Sequence, residues 1–309
     1  MAATRFLPNS DGPLRPRRLD CRAPPMERPA APAAMDEISV FFRDDDMGIY
    51  RDSLCGLVRL LREEGAPCNY QVVPAHLEAA TVKFVLEEKA KAPELVFLNQ
   101  HGLRHEQTIA GQHCWSEFDG GRPYDEQLRD IAAGHQRLRE MFGDAFDGRI
   151  FTPPCHKYDE RTLRALSELG FEVFSAGVRY DGSSRLYYQV GRLLGRVNFL
   201  GKRVSYHGAA IPRTRLVEVS ACMNVDMDVD RDGQELQKTA DDLWHEWQRC
   251  SSRVSIVGVM THHERYVRPE KFDALRQFVR RLAADPRVRF RSIQEIAARC
   301  RRPPLAASA

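Results

Sequence analysis

Phe41-Phe42-Arg43-Asp44-Asp45-Asp46-Met47-Gly48 sets three consecutive carboxylates at the end of an apolar run, residues 38–43, that reads as a β-strand. Like charges this close raise one another's pKa unless a cation or an Arg neutralises them. The segment therefore calls for something cationic. The plain alternative is a polar turn in which Asp45 or Asp46 caps the next helix. That helix is expected over 53–64, with Leu54, Leu57, Val58 and Leu61 on one face and Gly65 as its stop.

Outward from this unit the alternation repeats. Strands are predicted at 69–73, 95–99, 149–152, 171–174, 216–220, 254–261 and 288–290, and helices at 77–91, 125–141, 160–169, 236–248 and 270–284. A last helix opens with Ser292 and Glu295 in capping-box spacing. The span 175–214 has weak periodicity and supports no assignment. Seven or eight strands alternating with helices imply a parallel α/β architecture, either a barrel or an open sheet. In both, chemistry gathers beyond the C-terminal ends of the strands.

At 309 residues, 43% hydrophobic and 29% charged, the chain can bury one substantial core. The net charge of +3 is confined to residues 1–34, where six Arg face Asp11, Asp20 and Glu27. The remainder is neutral, which argues against a nucleic-acid partner. The same tail holds seven of the 18 Pro and reads as disordered; Met35 is a candidate start of translation, 35–300 the catalytic domain, and 301–309 a frayed end. No apolar run approaches the roughly 20 residues of a membrane span. No secretory signal is evident, and eight Cys without CxxC spacing fit reduced thiols in a cytoplasmic protein.

Three further motifs follow predicted strands. Gln100-His101-Gly102-Leu103-Arg104-His105 spaces two His four apart, so that on a helical turn both imidazoles reach one ion; with one carboxylate they make a site with open positions. In Thr152-Pro153-Pro154-Cys155-His156 the paired prolines stiffen the chain and fix the N–H of Cys155, as an oxyanion donor requires. Cys155 as a nucleophile has no supporting pattern. Thr261-His262-His263 offers a His suited to protonating a leaving amine if a carboxylate holds its tautomer. Asp226 and Asp228 are the candidate partners, and spacing does not choose between them or between His262 and His263. His76, His113, His135, His207 and His245 carry no ligand pattern and read as core or surface residues.

Taken in order, a carboxylate cluster, a His-x3-His, a Pro-Pro turn and a late His, each at a strand end, resemble the polysaccharide deacetylase (NodB-homology, carbohydrate esterase family 4) superfamily over roughly residues 36–298. The resemblance implies a distorted (β/α)7 barrel, a divalent metal, usually Zn2+, and deacylation of an N-acylated sugar or related amide. It makes Asp45 the general base, Asp46, His101 and His105 the metal ligands, Cys155 the oxyanion donor, and His262 the general acid with Asp228 or Asp226 behind it. Arg43, His156 and Trp115 are expected at the substrate, which would be a carbohydrate or nucleotide sugar. The departures are specific. Arg43-Asp44 replaces the family's Thr-Phe, leaving open a register with Asp44 as base and Asp45 as ligand, and Thr152 stands where many members have an Arg that orients the base. The chain looks like a divergent branch, such as the one associated with surface polysaccharide (O-antigen). The alternatives are a non-sugar amide or cyclic ureide as substrate, and a non-catalytic glycan-binding domain.

Overall fold

Val40, Phe41 and Phe42 are each fully buried, as a strand covered on both faces requires. In the computed structural model they lie in β1 (Ile38–Met47). The structure describes residues 36–301 apart from Ala110, Met227 and residues 230–234, with no side chains for Ile109, Asp228, Val229, Glu235 and Leu236. The tail through Met35, and the residues after 301, lie outside these.

β1 pairs in parallel with β2 (Cys68–Val72), β9 (Ile256–His262) and β10 (Val288–Phe290). The sheet continues from β2 through β3 (Val96–His101) and β4 (Phe146–Thr152) to β5 (Val173–Phe174), all parallel. β5 pairs with β7 (Val217–Glu218), whose outer neighbour is the antiparallel β6 (Ala209–Ala210). At the other edge β9 pairs with β8 (Met223–Asn224).

The two edges belong to one stretch of chain. Val217, Val219 and Ala221 donate their N–H groups to Glu172, Phe174 and Ala176, whereas Cys222 and Val225 donate to Gly258 and Met260. One run of chain thus changes partner at Ala221–Cys222 and closes the ring. β1, β2, β3, β4, β5, the β7–β8 run and β9 make the seven positions of a distorted (β/α)7 barrel. Gly258 permits the closure: a Cβ there would lie 2.2 Å from Phe41 Cζ and 2.7 Å from Ala221 Cα, so no side chain fits.

Helices α1 (Asp52–Glu63), α2 (Ala79–Lys91), α3 (Tyr124–Phe142), α4 (Glu160–Glu168), α5 (Gly182–Leu193), α6 (Ala240–Ser251), α7 (Pro269–Ala284) and α8 (Ile293–Arg301) complete the fold. Ile293, Ile296 and Ala297 of α8 pack with Phe41, Ile150, Val173 and Val219, filling the layer beneath the strand ends that carry the motifs. Two expectations change. α6 begins at Ala240 rather than 236, because Thr239 and Asp242 exchange capping hydrogen bonds there. The span 175–214 contains α5 and a hairpin, Asn198–Phe199 against Lys202–Arg203.

Candidate metal centre

The three carboxylates go to three different partners. Asp44 is wholly buried and accepts hydrogen bonds from Thr261 Oγ1 (2.9 Å), His263 N (2.8 Å) and His263 Nδ1 (2.8 Å). Asp45 faces Arg43, with Nε 2.8 Å from Oδ1 and Nη2 2.9 Å from Oδ2. Asp46 turns out of the strand at φ 68° and meets the two motif histidines. Adjacent strand residues point to opposite faces, so separate partners relieve the repulsion that the sequence implies. Burial opposes ionisation of Asp45, but the Arg43 guanidinium holds its carboxyl below the ordinary value.

Arg43, expected at the substrate, faces Asp45 and the barrel interior. Its side chain is fully buried and donates to Ser175 O (3.1 Å), Ser175 Oγ (2.9 Å) and Ala176 O (3.1 Å) across the barrel. The motif's own strand therefore supplies a guanidinium for the carboxylate that Thr152 cannot hold.

His101 Nε2 and His105 Nε2 lie 3.1 and 3.0 Å from the same atom, Asp46 Oδ1. His101 Nδ1 is 3.0 Å from Thr152 O, and since a carbonyl only accepts, Nδ1 carries a proton; in the neutral ring that leaves Nε2 with the lone pair. A lone pair facing a carboxylate oxygen is repulsive unless a cation lies between them. Asp46 Oδ1 is buried and lacks a hydrogen-bond partner, although two ring nitrogens stand beside it. Two imidazole nitrogens and one carboxylate oxygen within 4.8 Å of one another suit a divalent ion of the zinc class. A carbonyl behind a ligating His, as Thr152 O lies behind His101, is the usual support of such a site.

The pair does not share a helical turn. His101 ends β3, and the chain reaches His105 through Gly102 (φ 63°), with His105 itself left-handed (φ 63°). Glu117, which the sequence reading missed, shapes this loop. It is fully buried, and its carboxylate accepts N–H groups of Leu103 (2.8 Å), Arg104 (3.2 Å) and His105 (3.1 Å). A Cβ on Gly102 would come within 2.2 Å of Glu117 Oε2, so glycine is needed both for the left-handed turn and for this approach. An isolated Glu in a loop gives no sequence signal of such a role.

The Pro-Pro turn places Cys155 (φ 52°) and His156 (φ 56°) in left-handed conformations. His156 and Lys157 donate to Pro153 O and Pro154 O, and among the described residues no backbone carbonyl accepts the N–H of Cys155. Burial raises the Cys155 thiol, and the Asp46 charge raises it further, the opposite of what a nucleophile needs. His156 packs against Arg43 and Met260, 3.1 Å from Met260 Sδ; burial, then the Arg43 charge, lower its pKa to about 3 and keep it neutral.

Asp226 holds His262, accepting its backbone N–H at 2.9 Å and lying 2.5 Å from Nδ1 through Oδ2. The opposite nitrogen, Nε2, is 3.9 Å from Asp46 Oδ2. Burial lowers the His262 pKa, but the hydrogen bond and charge of Asp226 outweigh it and carry it to about 10. His263 is fully buried against Asp44. Of the two carboxylates left open, Asp226 is thus the one beside His262; the side chain of Asp228 lies outside the described residues. Trp115 is 63% exposed, stands edge-on to His113, and does not line the cavity beside the site.

That cavity, about 620 Å³, meets the site at Cys155, His156 and Met260. Among the described residues no helix is long and apolar enough to cross a membrane.

No family model matches the sequence, and no curated protein matches it at a significant level. Solved structures do. A protein of Mycobacterium smegmatis assigned as a polysaccharide deacetylase aligns with a TM-score of 0.61 at 18% identity, over 90% of this chain and 99% of that one. A peptidoglycan N-acetylglucosamine deacetylase aligns with a TM-score of 0.51 at 13% identity, over 84% and 87%. A mutant of a carbohydrate esterase family 4 pseudoenzyme aligns with a TM-score of 0.50 at 9% identity, over 86% and 71%. The fold hosts active and inactive proteins alike, so activity has to be argued from residues. The chain has the fold of the polysaccharide deacetylases.

Proposed function

We propose that this protein is a metal-dependent hydrolase that removes an acyl group, acetyl in the simplest case, from the nitrogen of an N-acylated sugar. The observation that carries the reading is the convergence of His101 Nε2 and His105 Nε2 on Asp46 Oδ1. Asp46, His101 and His105 would hold a divalent cation, Zn2+ being the first candidate. Bound there, the ion would polarise the acyl carbonyl and acidify water.

The protein's own groups supply the rest. Asp45, kept ionised by Arg43, accepts the proton of the attacking water. The N–H of Cys155 donates to the acyl oxygen as negative charge builds on it. His262, held by Asp226 with Nε2 toward Asp46, protonates the departing nitrogen. Asp45 is paired in register with His262 across β1 and β9, so base and acid sit on neighbouring strand ends.

Metal analysis of the purified protein, with acetate release measured on N-acetylated sugars, tests the reading. Roughly one equivalent of metal and turnover abolished in Asp46→Ala are expected. A protein that takes up no metal, or an Asp46→Ala variant as active as the parent, rejects it.

A further inference from the structure

The cavity that meets the site at Cys155 and His156 is also lined by Arg179, Lys202 and Arg203, and no Asp or Glu lines it. The cations come from two places, the chain after β5 and the hairpin turned at Leu200 and Gly201. Among the described residues none of the three is in an ion pair. Elsewhere on this surface cations find carboxylates readily, as Arg280 does with Glu64 and Arg301 with Glu172. Three unpaired cations on one concave wall make a positive field that selects for anions.

The wall is also built. The hairpin is tied to α5 by Tyr187, whose single O–H lies within reach of both Lys202 O (2.5 Å) and Phe199 O. The Arg203 guanidinium lies 4.8 Å from the centre of the Tyr158 ring, which also lines the cavity. A pocket for a neutral sugar commonly sets carboxylate acceptors against hydroxyl groups; here the charged side chains are all cations, and the neutral polar ones are His156, Tyr158, Tyr188, Ser205 and Asn224.

We infer that the substrate carries a negatively charged group, phosphate or carboxylate, which occupies this cavity while the acyl nitrogen lies at Asp46 and His262. This rests on the deacylase reading and adds the substrate's charge class to it.

The test compares three probes with the metal-loaded full chain: N-acetylglucosamine, its 1-phosphate, and N-acetylmuramic acid as the carboxylate. The inference expects kcat/KM for at least one charged probe to exceed that of the neutral sugar by about tenfold or more, chiefly through KM. That preference shrinks as salt is raised. It collapses toward unity in Arg179→Ala/Lys202→Ala/Arg203→Ala, and partly in Lys202→Ala alone should the triple variant fold poorly. Equal kcat/KM for all three probes, or a preference that survives the substitutions, overturns it. If no probe is hydrolysed, the deacylase reading has failed, and calorimetry decides the cavity separately. Binding of a charged probe that is lost in the variants upholds the anion site, and absence of such binding rejects it.

Discussion

Asp44 Oδ1 accepts the backbone N–H of His263 at 2.8 Å while its Oδ2 lies 2.8 Å from His263 Nδ1, with both side chains wholly buried. The pair ties the end of β1 to the end of β9 directly behind Asp45 and His262. Removing one member of a buried pair leaves the other charged or polar group unsatisfied, at a cost of about 3–5 kcal/mol. Asp44→Asn is therefore expected to lose on the order of 3 kcal/mol in urea unfolding of the metal-free protein. Asp46→Asn, at the partly exposed end of the same triplet, is expected to lose less than about 1 kcal/mol. Equal losses would show that Asp44 is not the structural member of the three.

Glu117 sets a different expectation. Its carboxylate gathers three N–H groups of the loop that carries His105, so weakening it moves a ligand without touching one. Supporting contacts of this kind are worth about 10–100-fold in metal affinity. Glu117→Gln, and equally Gly102→Ala, should bind Zn2+ more weakly by that factor in a chelator competition, with circular dichroism unchanged. Unaltered affinity in a folded Glu117→Gln protein would remove Glu117 from the site.

The ends of the strands were legible from the sequence because apolar runs broken by charge mark them: Asp46, His101, Cys155 and His262 all stand where β1, β3, β4 and β9 stop or just beyond. What each carboxylate touches was not legible. Three adjacent Asp leave the register open, and only the tertiary positions of Arg43 and His263 separate them. Glu117 was invisible because its partners are backbone N–H groups, which no sequence pattern announces. The span 175–214 resisted reading for a related reason. Its strands are two residues long, and α5 with its C-cap leaves Leu186, Leu193 and Leu194 exposed, so the apolar periodicity does not report burial.

Arg43 gives a test of positioning rather than charge. Its fork spans both oxygens of Asp45 and is braced by Ser175 and Ala176. Lysine keeps the charge but loses the fork. Arg43→Lys should lower kcat by about 10–100-fold with KM changed little, because a displaced base costs the chemical step rather than binding. A kcat within twofold of the parent would mean that the fork does not position Asp45.

His207 lies away from the metal centre and governs stability against acid. It is almost fully buried, with Nε2 3.1 Å from Ile256 O and Nδ1 accepting the N–H of Ser220 at 2.9 Å, so both nitrogens are committed in the neutral ring. Burial lowers its pKa to about 4, from an ordinary value of 6.5. Between those values the unfolded chain binds a proton that the folded chain refuses. The contribution is therefore complete above pH 6.5 and is lost as the pH falls toward 4, by up to about 3 kcal/mol. Glu218, raised by burial, works in the opposite sense, since a carboxyl that keeps its proton in the fold favours the folded state at low pH. The informative quantity is thus the difference between the parent and His207→Gln, with urea unfolding followed at pH 7, 6 and 5. The parent should lose about 0.7 kcal/mol more than the variant between pH 7 and 6 and about 1.2 kcal/mol more between pH 6 and 5, where the slope approaches one proton's worth. Parallel pH profiles would mean that His207 is protonated as easily in the fold as outside it, and that the Ser220 hydrogen bond does not hold the ring neutral.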